Sequence, residues 1–159
     1  MTYIIDGHNL IPHIPGLHLA DMDDEDALIQ QLQAFCRVSR LAVEVFFDNA
    51  PAGYSGNKRK GMIKVHYIRA GRSADDAILK HLKDLGKGAK NITVVSSDRQ
   101  VAAGARSFHA DVKESVVFAR ELQEALARAQ KTITEDSPPN EDEVTFWLDQ
   151  FARNKGNKQ

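Results

Sequence analysis

The sequence predicts an α/β domain in which a mostly parallel sheet is covered by helices on both faces. Three observations carry that expectation. The chain of 159 residues is 42% hydrophobic, enough for one sizeable core and too short for two. Apolar, β-rich runs alternate with segments of helical apolar spacing, and such alternation implies right-handed crossovers between parallel strands. The β-rich runs are also short and bounded by turn residues, as buried strands are.

Thr2 to Ile5 is the first strand, closed by the turn-forming Asp6-Gly7-His8-Asn9. After a loop from Pro12 to Pro15, Asp23 or Asp24 caps a helix that ends near Arg40. Its Leu28, Leu32 and Phe35 fall at i, i+4 and i+7 on one buried face. Ala42 to Phe47 is a second strand and stops at Asp48-Asn49-Ala50-Pro51. The Gly-rich, basic stretch Gly53 to Gly61 is a loop. Ile63 to Ile68 alternates apolar with polar residues, as a half-exposed strand near a sheet edge does. Ser73 is the N-cap of a helix with Asp75 and Asp76 in its first turn, Ile78, Leu82 and Leu85 among its apolar residues, and Gly86 and Gly88 to end it. Ile92 to Ser97 is the most strand-like run and terminates at Asp98. A short helix from Arg99 to Ala105 and a weak strand at Ser107 to Ala110 precede a long helix from about Lys113 to Lys131, striped by Phe118, Leu122, Ala125 and Ala129. The domain thus spans residues 1–133, followed by a linker at 134–140 that contains Ser137-Pro138-Pro139. In the last segment, 141–159, Val144, Trp147, Leu148 and Phe151 give a helix an apolar face, and Asn154 to Gln159 form a disordered tail.

No apolar run approaches the roughly 20 residues of a membrane span. The opening Met1 to Asp6 lacks the basic region and long apolar core of a secretory signal, so a soluble, cytoplasmic protein is expected. Cys36 is the only cysteine, which excludes an intrachain disulfide, and on its apolar helix face it reads as a buried small hydrophobe. The net charge of −1 hides an uneven distribution. From Asn49 to Ala74 there is no Asp or Glu, while Lys58, Arg59, Lys60, Lys64, Arg69 and Arg72 supply six positive charges, so the remainder carries −7. Such a band suits a polyanion better than a membrane surface, because no amphipathic basic helix accompanies it. A solvated segment whose lysines oppose aggregation would look the same on charge alone.

Ligands of open α/β sheets bind outside the carboxyl ends of the strands. There the sequence places Asp6, Asp48 and Asp98 directly after three strands, and Asp75 and Asp76 at a helix start. Each alone is an ordinary turn or cap residue. Together they are crowded carboxylates that repel one another unless a cation neutralises them. Hard oxygen ligands suit Mg²⁺ or Mn²⁺, which can activate water and stabilise the leaving oxygen of a phosphodiester. No other set of residues offers comparable chemistry. The six histidines show no H-E-x-x-H spacing, Ser96 and Ser97 lack a G-x-S-x-G context, and no nucleotide-binding G-x-x-x-x-G-K-S/T loop is present.

Asp6-Gly7-His8-Asn9, Phe47-Asp48-Asn49, Ser73-Ala74-Asp75-Asp76 and Ser96-Ser97-Asp98-Arg99 resemble, in order and spacing, the NYN branch of the PIN-like ribonucleases, particularly its YacP-like group. The similarity runs from Thr2 to about Leu126. It implies a three-layer α/β/α fold and Mg²⁺- or Mn²⁺-dependent endonucleolytic cleavage of RNA, with ribosome-associated mRNA a candidate substrate for the YacP-like group. Asp6 and Asp75 match the family's central metal-binding acids, Asp98 the fourth-strand acid, Asp48 the second-strand acid, and Asn9 the asparagine that orients the first-strand site. His8 stands where the group often has Tyr. Neighbours on a helix point about 100° apart, so Asp75 and Asp76 cannot both face the metal equally, and Asp75 is favoured. Lys58, Arg59, Lys60, Arg72 and Arg99 are the candidate RNA contacts.

Three rival readings fit the residues less well. A haloacid-dehalogenase-type phosphatase needs a second Asp two residues after the first, where this chain has His8. A receiver-like signalling domain needs a lysine from a later strand end, and Ser107 to Ala110 supplies none. A non-catalytic RNA-binding or adaptor module of the same fold would not need the acids at all.

Overall fold

The computed structural model describes residues 1–18, 22–51, 53 and 55–136, with the backbone alone at 22 and 131–136. The chain begins with β1 (Thr2–Asp6), α1 (Gly7–Leu10), a 3₁₀ turn at Ile11–His13, α2 (Met22–Ser39) and β2 (Ala42–Ala50). Next come β3 (Gly56–Lys60), β4 (Ile63–Arg69), α3 (Ala74–Leu85) and a 3₁₀ segment at Gly86–Asn91. It continues with β5 (Ile92–Val95), α4 (Arg99–Ser107), β6 (Asp111–Lys113) and α5 (Ser115–Asp136). One six-stranded sheet has the order β3-β4-β2-β1-β5-β6, parallel throughout except for the antiparallel β3–β4 pair at its edge.

The strand order explains the layers. The chain steps from β1 to β2 in one direction and later returns from β4 to β5 in the other. Right-handed crossovers therefore put α2 on one face and α3 on the opposite face. Two cores result. Tyr3, Leu28, Leu32, Phe35, Val45, Phe47, Val65, Phe118 and Leu122 join α2 and α5 to the first face. Ile4, Phe46, Ile78, Leu82, Val94, Val101 and Ala105 join α3 and α4 to the second. The reversal occurs at β1, whose two flanks carry β2 and β5 with Asp6 opposite Phe46 and Ile5 opposite Val95. A crevice opens where neighbouring strands send their chains to opposite faces, and here that is the carboxyl end of β1 beside β5.

The three-layer α/β/α architecture is the expected one, and the helix ends have the expected causes. Arg40 turns left-handed at φ 57 and its N–H returns to the Cys36 carbonyl, stopping α2, and Gly86 at φ 56 stops α3. Ser73 caps α3 by accepting the Asp76 N–H at 3.1 Å. Cys36 is buried, as its apolar face implied.

Four local expectations are corrected. The segment Gly53 to Gly61 is not all loop, because Gly56–Lys60 pairs with β4 residue by residue despite its charge. An edge strand with both faces partly open tolerates Lys and Arg that a buried strand would not. The last strand lies at Asp111–Lys113 rather than Ser107 to Ala110, because α4 runs through Ser107 and leaves only Phe108 to Ala110 as the turn. This strand does end in a lysine, Lys113, but it is engaged by Tyr3 and Glu121. The turn after Asp6 is one turn of helix, since nothing in Gly7 to Leu10 forbids it. Finally, α5 continues through Asp136, into the span expected to be a linker. The rest of that linker, the Trp147 helix and the tail lie outside the described residues. Among the described residues no helix is long and apolar enough to cross a membrane.

Candidate active site at the strand ends

Asp6 closes β1 and is only 6% exposed. Its carboxyl is hydrogen-bonded to that of Asp75, carried to it by the first turn of α3. Burial first, then the negative charges of Asp75 and Asp48, push Asp6 up to about 7, and only the Asn9 backbone N–H works against them. Asp75 is raised too, by burial first and then by Asp98, Asp48 and Asp76. The hydrogen bond between the two carboxyls raises Asp6 and works against the rise of Asp75. Four segments distant in sequence therefore act on one another electrostatically: the ends of β1 and β2, the start of α3 and the start of α4.

A proton shared between two carboxyls occupies the kind of place where a divalent cation neutralises both with hard oxygen donors. Among the described residues no three Asp, Glu, His or Cys side chains stand ready as a chelate. Asp6 and Asp75 thus fit a cation that keeps most of its water, as Mg²⁺ does when one or two carboxylates hold it.

The local sequence explains the close fit. Gly7 packs so tightly under Phe47 that a Cβ would lie 2.3 Å from the ring, so any larger residue would displace the chain beside Asp6. Asn49 takes a left-handed φ of 61, next to a register shift in β2 between Phe47 and Ala50, and this irregularity sits beside Asp48. Asp48 is met by His8 Nδ1, while His8 Nε2 lies 3.6 Å from Glu25 of α2. Pairing with Glu25 first, then with Asp48, outweighs burial and carries His8 up to about 9, so it is an imidazolium at neutral pH. It is a cation in direct contact with the acidic rim.

Asn9 spans the crevice. Its Oδ1 accepts the Ser97 N–H at 2.9 Å and the Ser115 hydroxyl at 2.6 Å, tying the end of β1 to β5 and α5. Ser97 Oγ in turn accepts the Ser115 N–H at 3.0 Å. Asp98 caps α4, accepting the N–H groups of Gln100 and Val101 on Oδ1, and acts on Asp75 by charge. Asp76 lines a separate cleft beside α3. The helix therefore resolves the adjacent pair: Asp75 meets Asp6, and Asp76 does not.

The family model for the YacP-like NYN domain matches residues 3–157. The chain belongs to the YacP-like NYN family. No curated protein matches its sequence. Among the solved structures that share the fold are two of one protein and its variant. Rae1 (YacP) from Bacillus subtilis is 21% identical with a TM-score of 0.71, covering 99% of this chain and 93% of its own. A tryptophan-to-leucine variant of that protein gives 20% and 0.70, with 96% and 91% covered. The YacP-like match continues well past Leu126, where the order of the strand-end motifs runs out. The family is nuclease-like, and this YacP-like chain has the ribonuclease-like fold that the four motifs implied.

The basic residues of this YacP-like chain are less united than their sequence suggests. Lys58 stands 5.6 Å from the Tyr67 ring and Lys60 pairs with Asp26 of α2 at 3.8 Å, both on the α2 face. Arg59 lies opposite Lys64 in the β3–β4 register, hence on the α3 face, where Arg72 lines the cleft. Arg99 is exposed at the start of α4. Glu25 and Ser115 are not among the residues that the sequence points to, and His8 and Ser97 enter there without the partners that the fold gives them. Ser115 lies 106 residues from Asn9, and no local pattern announces such a partner.

Proposed function

We propose that the chain is a Mg²⁺- or Mn²⁺-dependent endoribonuclease that hydrolyses RNA phosphodiester bonds at the Asp6–Asp75 rim, with ribosome-associated mRNA in the cytoplasm as its substrate. The observation that carries this reading is the pair itself, a buried carboxyl at the end of β1 set against a second one from the first turn of α3 at the mouth of the crevice. Asp6 and Asp75 would hold the metal, with Asp48 and Asp98 adding charge around it. The ion supplies a water of lowered pKa and a counter-charge for the phosphate. The chain's own residues do the positioning. Asn9 fixes the end of β1 against β5 and α5, so Asp6 keeps its place when its proton is lost. His8, cationic and anchored by Glu25, offsets the charge of Asp48 and offers a proton-bearing group beside the rim. Asp98 combines a helix cap with a negative charge toward Asp75.

The test compares wild type, Asp6→Asn and Asp75→Asn on labelled RNA, free and in translating ribosomes, with Mn²⁺ and with EDTA. Cleavage by the wild type alone, and only with metal, is the expected result. Equal cleavage by the folded Asn variants overturns the catalytic assignment, and RNA binding without any cleavage points to an adaptor module of the same fold.

A further inference from the structure

Beyond the acidic rim, a cleft of about 580 Å³ separates α3 from the outer part of the sheet, a size in the ordinary range of ligand sites. His66 of β4 and Phe46 of β2 form its floor, with their rings parallel to within 10° and 4.2 Å apart. Lys64, Arg72 and Lys80 line it, and no ion pair among the described residues holds any of the three. Asp76 and Asp84 are its exposed acids. The third acid near it, Glu44, is masked. One of its oxygens bonds His66 Nε2 at 2.8 Å and the other bonds His81 Nε2 at 3.1 Å. A carboxylate that would repel an anion instead anchors two imidazoles at the cleft. Arg59, opposite Lys64 on β3, continues the positive surface outward.

The first turn of α3 separates the cleft from the rim and contributes a side chain to each. Ser73 and Asp76 line it, while Asp75, between them in sequence, meets Asp6. We propose that this cleft is a track for single-stranded RNA leading away from the Asp6–Asp75 pair, with backbone phosphates on Lys64, Lys80 and Arg72. This deepens the nuclease reading and rests on it for the identity of the polyanion. Single-stranded nucleic acid is held in general by a cationic groove that follows the backbone, which is what the three lysine and arginine side chains provide.

Binding of a short fluorescent single-stranded RNA is measured by anisotropy in EDTA, where the proposed chemistry is off. Lys64→Gln/Lys80→Gln is expected to bind about tenfold more weakly, and its salt slope should be smaller by about 1.4, roughly 0.7 for each phosphate that is no longer neutralised. Lys87→Gln/Lys90→Gln, in the 3₁₀ segment beyond α3, should bind as wild type does. In the wild type, the ring-proton signals of His66 and His81 should shift as RNA is added. Unchanged affinity and slope in the Lys64/Lys80 variant, or histidine signals that RNA does not move, overturns the track. A wild type that binds through these lysines but never cuts RNA with metal supports the track and overturns the nuclease reading instead.

Discussion

Replacing Asp6 or Asp75 by its neutral isostere removes a repulsion and, on the proposed function, a cation ligand in one step. Asp6→Asn and Asp75→Asn are therefore expected to melt at the wild-type temperature or above it in EDTA while losing RNA cleavage. A fall in melting temperature would mark these acids as structural. Asn9→Ala should move stability the other way, because it leaves the Ser97 N–H and the Ser115 hydroxyl without their acceptor. The Ser115 hydroxyl is the buried one of the two, and stranding it costs about 1–3 kcal/mol, readable by urea denaturation. Gly7→Ala tests the packing under Phe47: the added carbon must push the ring or the chain, at about 1–3 kcal/mol. Asp6 and Asp75 were legible as single residues because each is the first polar group after a strand or the first acid of a helix. His8 was not, because its role depends on Glu25 and Asp48, which the fold delivers from α2 and β2.

Alternation along an extended segment decides what the basic stretch can do. Lys58 and Lys60 project to the α2 face and Arg59 to the other, which a sequence count of positive charges cannot separate. Asp98 has two duties that one pair of variants tells apart. Asn caps a helix about as well as Asp, so Asp98→Asn should keep the stability of α4 and lose only the charge felt by Asp75, whereas Asp98→Ala should lose about 1 kcal/mol as well. The bond from α3 to β2 predicts a pH dependence. The hydrogen bond to Glu44 raises His81 above its ordinary 6.5, against the opposing effects of burial and of Lys64, with Asp84 assisting. Burial opposes the charge of Glu44, but its bonds from His66 and His81 hold it below the usual carboxylate range. A raised histidine binds a proton in the folded state that the unfolded chain releases. Its stabilisation is therefore complete below about pH 6.5 and is lost as pH rises through the raised value. Glu44 contributes above its ordinary 4.5, and that contribution is lost only as pH falls toward its lowered value. His81→Gln should accordingly be less stable than wild type near pH 6, and the gap should narrow as pH rises through the raised value. A gap of constant size would show that the loss is one of packing.

Metal binding should appear in the behaviour of the whole domain. An ion that binds only the folded state stabilises it, by about 2.7 kcal/mol at a hundred times its Kd. Mg²⁺ or Mn²⁺ should thus raise the wild-type melting temperature, and Asp75→Asn should lose most of that response. The architecture was legible because a period of two alternates with a period near 3.6 along the chain, and because crossover handedness leaves little choice once parallel strands are assumed. β3 and β6 were missed or misplaced for a shared reason. One is charged and the other is three residues long, so pairing with a neighbour rather than an internal apolar pattern makes each a strand. The central position of β1 also orders the protein in time. Synthesis from the amino end makes Thr2–Asp6 before the strands that flank it, so that strand gains β2 early and β5 only after Val95 has been added. Its cover on one face is complete only with Phe118 and Leu122 of α5. Asp6 is made before Asp75, Asp98 and Ser115 and must wait for them. During its own synthesis the nascent chain therefore carries an acid without its partners, and the rim closes only when most of the domain has left the ribosome.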